Sequence, residues 1–134
     1  MLALLLAPLL FGAPVIAAAG SCSGADPGIV SAKVQSMTTN GNLNHYTIAV
    51  TVQNMGAGKQ PSNLLQSVNV YQNGDKVDQK GLQPFRPGAS QTVTYAFDRS
   101  SEARSKTTHF RFMLTTPAGS NNCSTSNDVV RLDV

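Results

Sequence analysis

No Lys, Arg, Asp or Glu occurs before Asp26. The rest of the chain is also sparing with reactive groups. It holds two cysteines, Cys22 and Cys123, and two histidines, His45 and His109. None of its serines sits in a G-x-S-x-G elbow, so the sequence offers no positioned hydroxyl nucleophile. There is no glycine-rich phosphate loop and no D-x-D-x-D-G calcium loop. Neither histidine has a second His, Cys or carboxylate at ligand spacing in the sequence, so a zinc site lacks its parts. The seven acidic residues (Asp26, Asp75, Asp78, Asp98, Glu102, Asp128, Asp133) form no distinctive pair for glycoside cleavage. Charges are scattered without a run of five like signs, which argues against a dedicated nucleic-acid surface. The expectation is a chain that is not an enzyme, with no catalytic residues, no cofactor and no metal site.

What is present begins with an apolar stretch. Met1 to Ala19 is uncharged, with its apolar centre at Leu2 to Phe11 and the small residues Ala17, Ala18, Ala19 and Gly20 after it. This is the layout of a secretory signal, with Ala17 and Ala19 as the A-x-A pair. The usual Lys or Arg after Met1 is missing, which leaves either a start upstream or an atypical signal. Pro8, Gly12 and Pro14 speak against a membrane anchor, and the stretch barely reaches spanning length. Residues 1–20 are therefore read as a signal peptide and 21–134 as one domain. The product would be exported, periplasmic or secreted. A lipid anchor is the alternative, because Ala19-Gly20-Ser21 stands directly before Cys22 (without the usual leucine three residues before the cysteine).

The remaining segment alternates in strand rhythm. Tyr46, Ile48, Val50 and Val52 alternate with Thr47, Ala49, Thr51 and Gln53, the signature of a strand with one buried face. Further strands are expected at 29–37, 65–72, 75–80, 91–98, 107–115 and 128–134. Val30, Ala32 and Val34 share one face of the first. Val68, Val70, Val93, Tyr95, Phe97, Phe110, Phe112, Leu114, Val130, Leu132 and Val134 point inward from the others. A turn is expected over 38–44 around Asn40-Gly41. Asn73-Gly74 suits a type I′ hairpin, which needs positive φ at both central residues. Lys76 and Lys80 on the return strand suit an edge, where charge discourages further pairing. Residues 99–106 read as a solvated loop. The fold class is all-β: a seven-stranded antiparallel, immunoglobulin-like β-sandwich.

The strings YTIAVTVQNMGAG, LQPFRPGASQTVTYAF and SNDVVRLDV resemble the CARDB domain, the "cell adhesion related domain found in bacteria". The resemblance lies in Asn54-Met55-Gly56 at the end of a strand and the polar hairpin tip Gln72-Asn73-Gly74-Asp75. It continues in the turn carrying Leu82, Pro87, Gly88 and Ser90, and in Asn127 before the last strand. It covers roughly residues 28–134 and implies an immunoglobulin-like fold, export and no enzymatic activity. Asn54 and Asn127 are expected to hydrogen-bond nearby loop backbone, and Pro87-Gly88 to form a type II turn.

In an exported chain two cysteines read as one disulfide. With strands running alternately up and down, the first strand begins at the pole where the sixth ends, so Cys22 and Cys123 belong together. A lipidated Cys22 would leave Cys123 single. The same alternation turns His109, Arg111 and Met113 outward, along with Tyr71 and Arg131 on neighbouring strands. Tyr, Met and Arg are enriched at interfaces, so Tyr71, His109, Arg111, Met113 and Arg131 form the candidate binding face. The functional expectation is a non-catalytic exported binding or adhesion module; the alternative is a secreted inhibitor or small effector of a partner enzyme. The partner would be a protein or an envelope glycan, not nucleic acid. Membrane contact would require a lipidated Cys22 or an uncleaved apolar start. A net charge of +3 on an exported domain is usually a solubility feature, and it can also favour acidic glycans or anionic envelopes.

Overall fold

The computed structural model describes residues 23–102, 106–116, 123 and 126–134. The expected signal segment, Cys22 and residues 103–105 of the expected 99–106 loop lie outside the described residues. Seven strands follow one another: β1 (Pro27–Asn40), β2 (Leu43–Asn54), β3 (Gln66–Gln72), β4 (Asp75–Leu82), β5 (Ser90–Ser100), β6 (His109–Thr115) and β7 (Val129–Asp133). None of the described residues is helical. Two antiparallel sheets result, one ordered β1-β2-β5 and the other β4-β3-β6-β7. This is the expected sandwich.

The inner faces carry the apolar half of each alternation. Ile48, Val50 and Val52 of β2 and Val68 and Val70 of β3 are all at most 1% exposed. Phe97 joins the two layers. Its ring stacks on Tyr46 within its own sheet at 4.8 Å and tilts against Phe110 of the opposite sheet, also at 4.8 Å. Aromatic pairs at such distances stabilise beyond their buried area. Val93, Val130 and Leu132 pack against this core but stay partly exposed, since they lie toward sheet edges. Leu82 and Phe85, which the alternation does not point out, are also buried. Phe85 plugs the sandwich from the proline-rich connection after β4. Its N–H donates to Gln60 Oε1 at 2.9 Å, and its carbonyl accepts from the Gln60 N–H at 2.9 Å. Gln60 and Gln66, both buried, exchange two amide hydrogen bonds of 2.9 and 2.7 Å. Buried amides so paired avoid the cost of an unmet donor or acceptor.

Three expectations need correction. The first strand does not keep one face: register shifts between Ile29 and Ser31 and between Val34 and Ser36 insert an extra residue twice. A bulge reverses which side chains face inward. Ile29, opposite Val52, is buried, and Val30 is 45% exposed. Ala32, opposite Val50, packs against the core, whereas Val34, opposite Ile48, is 39% exposed. Next, the turn over 38–44 shrinks to Gly41-Asn42, because Asn40 already pairs with Leu43. Of these two residues only Gly41 has positive φ, the type II′ pattern. Lastly, Arg99 is not loop. It lies in β5, where Nη1 donates to Thr108 Oγ1 at 3.1 Å and to the Val134 backbone oxygen. Nη2 donates to Tyr46 Oη at 3.1 Å. One guanidinium thus ties the two sheets together at that end.

Both remaining turns form as read. Asn73 and Gly74 have φ of 49° and 91°, as type I′ requires. Gly88 has φ of 75°, and the Ala89 N–H donates to the Arg86 carbonyl at 3.1 Å, closing a type II turn over Pro87-Gly88.

Candidate binding face on the four-stranded sheet

The register of the β4-β3-β6-β7 sheet decides which outward side chains meet. Tyr71 opposes Arg111 across β3 and β6, and Arg111 opposes Arg131 across β6 and β7. On the other side, Tyr71 opposes Lys76 of β4. Lys76, Tyr71, Arg111 and Arg131 therefore form one row running across all four strands. The Arg111 guanidinium lies over the Tyr71 ring, 4.3 Å from its centroid. Such stacking orients the cation and adds a cation–π attraction. Among the described residues neither Arg111 nor Arg131 has a carboxylate within ion-pair distance. Lys76 donates to Gln79 at 2.9 Å.

A second row lies one step toward the hairpin tip. His109 opposes Asp133, and His109 Nδ1 sits 2.8 Å from Asp133 Oδ1. The tip itself is tied to β6: the Asn73 N–H donates to the His109 carbonyl at 2.8 Å, and the His109 N–H to Asn73 Oδ1 at 3.0 Å. The tip and the two rows enclose an open groove of about 600 Å³ lined by Tyr71, Gly74, His109, Phe110, Arg111, Arg131 and Asp133. Four of the five expected face residues thus share one groove. Met113 lies in the adjoining row, between Asn69 and Val129, and does not line it.

Sequence reasoning left out Lys76 and Asp133. Lys76 could have been found. A two-residue hairpin at Asn73-Gly74 places Gln72 opposite Asp75 and so Tyr71 opposite Lys76. Asp133 required knowing the β6–β7 register, which no local turn sets.

The other histidine repeats the arrangement on the opposite sheet. His45 of β2 opposes Asp98 of β5, with Nδ1 2.5 Å from Oδ1. Both histidines are therefore paired with a carboxylate that is distant in sequence and adjacent in the sheet. Among the described residues no three or more His, Cys, Asp or Glu gather where they could hold a metal ion.

The pole where β1 begins is built on Asn54, which is fully buried. Its Oδ1 accepts from the N–H groups of Asp26 and Gly56 at 2.9 and 3.1 Å, and its Nδ2 donates to the Gly58 carbonyl at 2.8 Å. Asn127 also sits here; its carbonyl accepts from the Ile29 N–H at 2.8 Å. A Cβ on Gly28 would collide with the Asn127 amide, so only glycine permits that approach. Cys123 Sγ lies 3.5 Å from the Ala25 carbonyl oxygen. The chain three residues after Cys22 is thus beside Cys123, at the pole that the strand directions specify.

Two ionisable groups away from the groove are perturbed. The Gln79 backbone N–H, and next to it Lys80, hold the Asp78 carboxyl below its usual range. Burial, assisted by the nearby Asp78 charge, raises the Tyr95 phenol.

Comparison with known proteins agrees with this architecture. No curated protein matches the chain. The crystal structure of the CARDB domain of a Pyrococcus furiosus protein, in complex with di-metal ions, superposes with a TM-score of 0.64 at 18% identity, covering 84% of this chain and 89% of that one. The solution NMR structure of the same domain gives 0.57 at 15% identity, covering 84% and 94%. At these identities the likeness shows the fold. The sequence profile of the CARDB family matches residues 29–125, most of the length of the sandwich, and the chain belongs to the CARDB family.

Proposed function

We propose that this chain is a non-catalytic, exported binding module that holds its partner on the outer face of the β4-β3-β6-β7 sheet. The observation that carries the reading is the row Lys76–Tyr71–Arg111–Arg131, in which two arginines are direct cross-strand partners with no carboxylate within ion-pair distance among the described residues. Like charges placed opposite one another weaken a sheet. Folding gains nothing from the pair, whereas an anionic partner would.

Export is supported by the uncharged start and its Ala17-x-Ala19 pattern. A Cys22–Cys123 disulfide is supported by the closeness of Cys123 to Ala25. Such a bridge closes a loop worth roughly 4.7 kcal/mol in the chain-entropy model. Intact mass of the native protein, with and without reductant, tests both. The expected product starts near residue 21 and gains two hydrogens on reduction; a diacylglycerol adduct on Cys22 would replace the disulfide with an anchor.

The binding role is tested by capture from envelope extract, comparing the parent with a folded Tyr71→Ser/Arg111→Ser variant. Retention on glycan or cell wall that the variant loses supports the reading. Capture of one stoichiometric enzyme would make the chain an inhibitor instead. Equal retention by parent and variant would remove this face from the proposal.

A further inference from the structure

We infer that the groove beside the Lys76–Tyr71–Arg111–Arg131 row takes a carboxylated sugar, a uronic-acid glycan. The inference rests on the binding-module reading and names the ligand for that same face. Strands lie about 4.8 Å apart, so Lys76 to Arg131 spans roughly 14 Å across three strand spacings. Within that span stand three cations, and the one beside Tyr71 is already oriented by the ring. A guanidinium stacked on an aromatic face still presents its in-plane N–H fork, which matches a carboxylate in bidentate geometry. A linear polymer with one carboxylate on every ring meets such a row better than a single small anion does.

The remaining wall residues favour sugar over acidic peptide. His109 Nδ1 is engaged by Asp133 Oδ1, which leaves the imidazole Nε2 and the second carboxylate oxygen as hydrogen-bonding groups at the groove. Sugar hydroxyls both donate and accept, so they can pair with either group. A peptide of acidic side chains brings few hydroxyls. Peptides also commonly bind sandwiches by adding a strand to an open edge. Here β3 and β6 are each paired on both sides, so this face can be read only through side chains. The groove of about 600 Å³ lies within the size range of small-ligand sites.

The test is a titration of the full chain with three polymers: polygalacturonate, its methyl-esterified form, and polyglutamate. Binding is expected for polygalacturonate, weakening with added salt. The ester, which keeps the rings and loses the charge, should bind at least about tenfold more weakly, as should polyglutamate. Arg131→Gln and Lys76→Gln should each weaken polygalacturonate binding about tenfold. Both sites are exposed, and cooperative melting at or above the parent's midpoint would confirm that the variants are folded. Equal binding of the ester would overturn the carboxylate assignment, and equal binding of polyglutamate the glycan assignment. If polygalacturonate does not bind while envelope capture still depends on Tyr71 and Arg111, this inference fails and the docking face survives. If neither occurs, both fail.

Discussion

The Asn54 side chain accepts a hydrogen bond from the backbone N–H of Asp26, twenty-eight residues earlier, and so fastens the entry to β1 onto the exit from β2. The same amide holds Gly56 and Gly58. Replacing it by alanine would strand two backbone N–H groups and a carbonyl in a buried setting. Asn54→Ala should destabilise the domain by roughly 3 kcal/mol. Asn54→Asp keeps both acceptor contacts but turns an oxygen toward the Gly58 carbonyl, so it should not restore stability. Urea midpoints of the two variants check this. A loss under 1 kcal/mol for alanine, measured against ~3 expected, would show that the amide is not central to the pole.

The bulge in β1 sets two neighbouring aliphatic residues apart. Ile29 is buried and Val30 exposed. Ile29→Ala should cost about 2–4 kcal/mol. Val30→Ala should stay within about 0.5 kcal/mol. The opposite ranking in denaturant melts would mean that the strand runs without its first bulge.

Tyr95 offers a pH readout. Its hydroxyl donates to Gln72 Oε1 at 3.2 Å, and its pKa is raised first by burial and then by Asp78. With the folded pKa above the unfolded value, the contribution of the neutral phenol is fully present below the unfolded pKa, about 10. It is lost as pH rises through the folded value. The domain should therefore lose stability in alkali, and Tyr95→Phe should reduce that loss. At neutral pH the same substitution should cost about 1 kcal/mol for the missing hydrogen bond. Asp78→Asn should move the phenolate absorbance transition to lower pH.

The Arg111–Arg131 pair predicts a gain in stability from loss of binding. Arg131→Glu turns a like-charge cross-strand pair into an opposite-charge pair, which should stabilise the domain by a few tenths to about 1 kcal/mol. Added salt should shrink the difference, as expected of exposed charges. Binding of an anionic ligand should be abolished. A variant less stable than the parent at low salt would mean that the two side chains do not meet.

Much of this was legible locally. The alternation from Tyr46 to Val52 exposes its buried face because the strand period is two, and Val50 and Val52 are indeed buried. Asn73-Gly74 announces its turn because few residues tolerate positive φ, and the hairpin register follows from it. The bulges in β1 escaped because an extra residue leaves no mark in the sequence; Val30 looks as apolar as Ile29. Arg99 escaped because its three acceptors come from β2, the segment before β6 and the end of β7.

The all-β class was readable from the chain alone: period-two runs between glycine, proline and asparagine turns bury an apolar face by stacking sheets or closing one on itself. In β3, β6 and β7 the alternation also showed which side chains turn outward, so Tyr71, His109, Arg111 and Arg131 were identifiable as surface. That they are neighbours came from the folded sheet. Side-chain direction is a property of one strand, whereas adjacency depends on strand order and register, which are set by packing between segments far apart in the chain. That is why both histidines looked solitary in the sequence and stand beside an aspartate in the fold. It is also why Lys76, read as an edge charge, proved to be the end of a row that Arg131 completes from the opposite edge of the sheet.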